Sequence, residues 1–162
     1  MGNQTNNITL NITVFGGEDL THVGSAAVRQ VLDESRKLPE LALAAETAML
    51  KTAMLIYSDP DHPENLTCYL PNKKRDETLV HTDAGWEIRP TRLVLPPMAQ
   101  TSKNKIFNNQ PYENVDDYGP LLIEIRDNEE RYAGGQALRP ILVRNKDLLR
   151  RALETLPVAG DE

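Results

Sequence analysis

The sequence predicts an α+β fold, a mostly antiparallel sheet with an N-terminal strand, two packed helices and a C-terminal helix. Three observations carry that expectation. Residues 41–57, LALAAETAMLKTAMLIY, hold only two charges, Glu46 and Lys51, and no glycine or proline. Such a run of strong helix formers is too apolar all round for a half-exposed surface helix, so the rest of the fold or a second copy of the chain must cover it. Residues 8–14 alternate Ile8, Leu10, Ile12 and Val14 with Thr9, Asn11 and Thr13, the period of a strand with one buried face. Near the C-terminus Leu148, Leu149, Ala152, Leu153 and Leu156 fall on one helical stripe.

The elements follow in order. Phe15-Gly16-Gly17 ends the first strand. A helix over about 24–37 then sets Ala27, Val28, Val31 and Leu32 on one side, and Pro39 suits the first turn of the apolar helix, about 40–57. The pair reads as two helices broken near Leu38-Pro39, or as one kinked helix. After the turn cluster at residues 58–63, short strands are expected at 66–70, 78–82 and 86–89, the last two closing a hairpin over Asp83-Ala84-Gly85. Residues 92–95 extend the second arm past Pro90, an edge or bulge position. Residues 96–120 lack sustained periodicity and read as a long loop. Residues 121–126 read as a strand with 137–143 as its antiparallel partner. Asn145 is the expected N-cap of the final helix, about 146–156, which Pro157 ends. Residues 1–157 are expected to form a single domain and 158–162 a flexible tail.

Composition narrows the function classes. The formal net charge is −6, with nine acidic against four basic residues over 1–67 and 15 against 14 over the rest. An acidic chain with no dense basic stripe argues against general nucleic-acid binding. The one cysteine, Cys68, permits no intrachain disulfide and fits a reducing cytosol. The N-terminal residues lack a secretory pattern. The charges at the centre of 41–57 oppose a membrane span. A cytoplasmic protein without membrane attachment is the expectation.

Five groups of residues could carry chemistry or contact. Gly16-Gly17 stands between a strand and a helix, where backbone N–H groups can receive a phosphate, with Thr21 and Ser25 as hydroxyl donors and Arg126, Arg131 or Arg139 as counter-charges. The opposing reading is a plain turn, because Glu18 and Asp19 put negative charge where a phosphate would sit. Asp59, Asp61, His62 and Glu64 cluster four metal-ligand types in six residues, although the loop needs ligands from elsewhere and also reads as turn chemistry. Cys68, His81 and Asp83 have the types of a nucleophile, a base and an orienting acid, against the usual reading of a strand cysteine as a small buried hydrophobe. His22, by a helix start, has no identifiable partner in the sequence and reads as a surface residue. Residues 96–120 intersperse Lys103, Lys105, Phe107, Tyr112 and Tyr118 among polar residues. With Trp86 of the hairpin they form the expected partner surface. Met49, Leu50, Ala53 and Met54 on the apolar helix are either core or a self-association face.

Taken together these features favour a small, soluble, non-enzymatic binding protein, an adaptor or inhibitor-type module that contacts another protein and self-associates, with no cofactor. The alternative is a protein that binds a phosphorylated small molecule or nucleotide at the Gly16-Gly17 turn.

Overall fold

A computed structural model of the chain describes residues 11–109 and 115–154. The fold is α+β, helices packed with a three-stranded antiparallel sheet. In chain order come α1 (Ser25–Ser35), α2 (Leu41–Tyr57), β1 (Cys68–Tyr69), β2 (Glu77–Thr82), β3 (Gly85–Pro90), α3 (Thr91–Asn108), α4 (Val115–Asp127), α5 (Glu129–Ala133) and α6 (Arg139–Glu154). Among the described residues, no helix is long and apolar enough to cross a membrane.

The chain covers most of its own apolar helix, leaving Leu41 and Leu43 of the first turn exposed. α2 packs against α1, α3, α4 and α6. Ala44, Ala45, Ala48 and Ala53 are buried along it, small enough to let several helices approach one axis. Met49, Ile56 and Tyr57 fill the gaps between them. The expected break at Leu38-Pro39 is present, since α1 ends at Ser35 and α2 begins at Leu41. The Lys51 ammonium donates to Glu34 on α1 and ties the two at the surface.

The sheet runs β1-β2-β3 in order. Cys68 pairs with Val80 and Tyr69 with Leu79. On the other side of β2, Leu79 pairs with Ile88 and His81 with Trp86. Because side chains alternate along a strand, Cys68 and Val80 point into the core while Tyr69, Leu79, His81, Trp86 and Ile88 share the outer face.

Several sequence expectations are corrected. Residues 8–10 of the expected N-terminal strand lie outside the described residues. Residues 11–14 form no ladder: Thr13 N–H donates singly to Glu64 O (2.9 Å) and Phe15 N–H to His81 O (2.8 Å). Residues 92–108 are helix α3, neither strand nor loop. Val94, Leu95, Met98, Ala99, Ser102 and Ile106 bury one helical face, and the carbonyls that Pro96 and Pro97 leave unbonded belong to Arg92 and Leu93, both exposed. Residues 121–126 lie in helix α4. Leu121, Leu122 and Ile125 turn inward, while Ile123, which a strand would bury with Leu121 and Ile125, is 49% exposed. Residues 139–143 open α6, so the C-terminal helix starts well before 146. Asn145 is no N-cap; it is buried inside that helix.

Asn145 joins three elements. Its side-chain amide donates to Tyr57 O and Cys68 O, both at 2.9 Å, and its oxygen accepts from Ser58 Oγ at 2.7 Å. These bonds hold the end of α2, the start of β1 and the middle of α6 together. Gly135, just before α6, has φ +69°, and a Cβ there would stand 2.5 Å from Leu95 O. Only glycine fits so close to the α3 backbone.

Candidate functional site

The hairpin carries the most conspicuous apolar exposure. Among the described residues β3 pairs only with β2, so its far edge has no described partner strand. Ile88 is 65% exposed and Trp86 39%, and Leu93, one turn into α3, is 56% exposed. Trp86 stands edge-on to Tyr69 (ring centroids 5.2 Å apart) and leans on His81 (5.0 Å). It is therefore held in position as well as presented. The sequence pointed to Trp86 but missed Ile88 and Leu93. Their signal was available: Ile88 follows Trp86 at the strand period of two on an edge ended by Pro90.

The other expected contact residues are not gathered there. Lys103 is paired with Glu129 (3.0 Å). Lys105 and Phe107 lie along α3, with Phe107 packed against the core. Tyr118 is buried, and its hydroxyl donates to Asp33 of α1 while Arg36 lies over its ring. Burial, then the Asp33 hydrogen bond, push its hydroxyl above the ordinary tyrosine range. Tyr112 lies outside the described residues. On α2, Met49 and Ala53 are buried against neighbouring helices, and Leu50 and Met54 are half-buried.

At the Gly16-Gly17 turn the anion seat is taken by the chain itself. Gly16 N–H donates to both carboxylate oxygens of Glu18 (3.1 Å each), and Thr67 Oγ1 donates to Glu18 Oε2 (2.6 Å). Burial pushes the Glu18 carboxyl above its ordinary value despite these bonds. Thr21 gives its N–H and hydroxyl to Asp19 (3.0 and 2.7 Å), which holds the Asp19 carboxyl low, and Ser25 is exposed at the start of α1. Arg126 and Arg131 are engaged elsewhere, with Asp127 (2.9 Å) and Glu124 (3.8 Å). Arg131 lies by Glu46 and Met49, roughly 12–16 Å along α2 from Tyr57, the residue on which Phe15 packs.

Arg139 instead lines an open groove of about 870 Å³ with Lys73, Arg144, Lys146 and Asp147. Arg139 also binds Asp76 (2.8 Å) and Lys73 O (3.2 Å), and Lys146 donates to Pro71 O (2.9 Å). Four cations against one lining carboxylate make this a positive concavity on an acidic chain.

Cys68, His81 and Asp83 do not assemble. Cys68 is buried with its sulfur 3.9 Å from Met98 Sδ, and burial pushes its thiol far above the range of a nucleophile. His81 sits on the opposite face of the sheet, its Nδ1 2.9 Å from Thr13 O, and Asp83 is exposed in the turn.

The metal-type residues separate into two sets. Asp59 and His62 come together with His22, which the sequence left without a partner, each offering a ligand atom within 4.8 Å of the others. Asp61 and Glu64 stand beside the three as hydrogen-bond partners: Asp61 N–H donates to Asp59 Oδ1 (2.9 Å), and His62 Nδ1 lies 3.3 Å from Glu64 Oε2. Compared with protein-family models, curated proteins and solved structures, this chain matches none.

Proposed function

We propose that the protein is a non-enzymatic binding protein of the adaptor or inhibitor type, which engages another protein, or a second copy of itself, through the β3 edge and the outer face of its hairpin. The observation that supports this reading is the apolar run of Trp86, Ile88 and Leu93 on and beside a strand whose far edge has no partner among the described residues. A long apolar edge is a template for strand addition. A second copy suits that edge electrostatically. An antiparallel pairing centred on Ile88 sets Glu87 opposite Arg89 of the second copy, and Arg89 opposite its Glu87, so no like charges meet.

The experiment is sedimentation velocity over a range of concentrations, with the wild type and Ile88→Lys. Concentration-dependent dimerisation that Ile88→Lys removes at unchanged melting temperature is the expected result. A monomer at every concentration removes self-pairing. Docking of another protein then stands on a photocrosslinker at residue 88 in host cells. It is removed if that residue captures nothing that one at exposed Arg151 does not.

A second reading, an anionic small-molecule binder, is favoured by the cationic groove around Arg139 rather than by the Gly16-Gly17 turn. A rise in melting temperature with a nucleotide or pyrophosphate, lost in Arg144→Glu and kept in Ile88→Lys, would support it over the first.

A further inference from the structure

We propose that His22, Asp59 and His62 form a binding site for one divalent transition-metal ion of zinc-like chemistry, clasping the loop before α1 to the loop after α2. The donor set is two imidazoles and a carboxylate. Hard cations such as calcium and magnesium prefer oxygen ligands throughout, whereas imidazole suits zinc, cobalt, nickel and copper.

Both rings have the hydrogen-bond partners that metal-bound histidines have. His22 Nε2 lies 2.7 Å from Leu55 O. A carbonyl only accepts, so Nε2 carries the hydrogen, and in the neutral ring Nδ1 keeps its lone pair. That Nδ1 is buried and has no hydrogen-bond partner among the described residues. A buried polar atom without a partner is costly, and a metal ion satisfies it. His62 has the complementary arrangement. Its Nδ1 faces Glu64 Oε2 at 3.3 Å, which leaves Nε2 for the ion. An outer carboxylate or carbonyl on the far ring nitrogen fixes the tautomer and raises ligand basicity. Asp59 uses Oδ1 for the Asp61 N–H and retains Oδ2.

The surroundings hold the donor side chains near one another. The buried Asn65 accepts from Asp19 N–H (3.0 Å) and donates to Asp19 O (2.7 Å), pinning the loop that carries His22 to the loop that carries His62. The two rings stack with centroids 3.7 Å apart and planes 18° from parallel, so their in-plane lone pairs run nearly side by side and one ring must turn for both to face a single ion. Ligands at about 2.0–2.1 Å from a tetrahedral zinc ion stand roughly 3.4 Å from one another. One ligand atom from each of the three residues lies within 4.8 Å of the others, so binding an ion draws them together and turns a ring. The His62 side chain, 35% exposed, has room to make that turn away from the His22 ring. Three protein ligands leave a fourth position for water or for a group from a partner.

The test is titration of the tag-free full chain with Co²⁺, read by its visible absorption, alongside thermal shift with Zn²⁺. One Co²⁺ per chain and a raised melting temperature with Zn²⁺ are expected. His62→Gln and Asp59→Asn, both at partly exposed positions and the second able to keep the Asp61 cap, should each weaken binding by about tenfold or more. Asp61→Asn should leave it unchanged. Absence of both the Co²⁺ spectrum and the Zn²⁺ shift overturns the proposal. So does binding that persists in either His62→Gln or Asp59→Asn.

Discussion

Replacing Asn145 by leucine tests how much of the fold depends on one polar side chain. The two residues are close in volume, so the change removes hydrogen bonds with little change in packing. Three buried bonds disappear, to Ser58, Tyr57 and Cys68. Each is worth about 1 kcal/mol net, and a carbonyl stranded without a donor costs roughly 1–3 kcal/mol. The Ser58 hydroxyl can turn toward another acceptor, and leucine adds apolar burial, so the sum is a loss of about 3–5 kcal/mol. For a chain of this length that is a fall in melting temperature of around 10 °C. Urea denaturation, followed by far-ultraviolet circular dichroism and by fluorescence of Trp86, the only tryptophan, measures it. Asn145→Asp sharpens the case, because a carboxylate would face two carbonyl oxygens. Its folded-state pKa must rise above the unfolded value, so its stability deficit should deepen as pH climbs past the ordinary aspartate range and shrink in acid. A loss below about 1 kcal/mol in Asn145→Leu, or a pH-independent Asn145→Asp, would refute the reasoning.

Other expectations follow from the same logic. Glu18 has a folded-state pKa raised by burial. Its contribution is complete below the unfolded glutamate value and is lost as pH rises through the folded one, so Glu18→Gln should gain stability relative to wild type from mildly acidic to neutral pH and run parallel to it in stronger acid. Denaturation midpoints across pH measure this. Gly135→Ala drives a methyl into Leu95 O at a positive φ and should cost at least about 1–3 kcal/mol by urea melts. Thr52 Oγ1 is buried without a hydrogen-bond partner among the described residues, so the near-isosteric Thr52→Val should stabilise by about 1 kcal/mol, and a destabilisation would reveal a partner for that hydroxyl.

The parts of the fold legible in the sequence were those where one periodicity dominated. The apolar α2, the β2–β3 hairpin and the leucine stripe of α6 each had a single consistent pattern. Misreadings arose where two patterns coexisted or a breaker intervened. In LLIEIR, Leu121, Ile123 and Ile125 alternate as in a strand, yet Leu121, Leu122 and Ile125 also lie on one helical face. Only tertiary contact with α2 decides, and it leaves Ile123 in water. Pro96-Pro97 masked a complete helical stripe from Val94 to Ile106, because the prolines occupy the outer side of α3, where water can satisfy the carbonyls they orphan. Asn145 looked like a cap because asparagine usually is one there. Its partners lie about 80 residues earlier, a separation no local pattern reports.

The candidate sites show the same division. Trp86 and the Asp59–His62 cluster were visible as residue types, and Arg139 appeared as a counter-charge. Its companions Lys73, Arg144 and Lys146, and the third metal-type donor His22, were not, because each joins its neighbours only through folding. Loop composition signals the presence of ligands, and tertiary contacts choose which of them converge.

The alanines of α2 have a consequence for how the molecule comes apart. An axis enclosed by four other helices cannot release one of them without opening the flanks of the rest, so partial opening there exposes nearly as much apolar area as complete unfolding. The backbone amides from Ala44 to Ile56 should accordingly be the last to take up deuterium, at a rate set by global unfolding, whereas those of the overhanging β3 strand should exchange first.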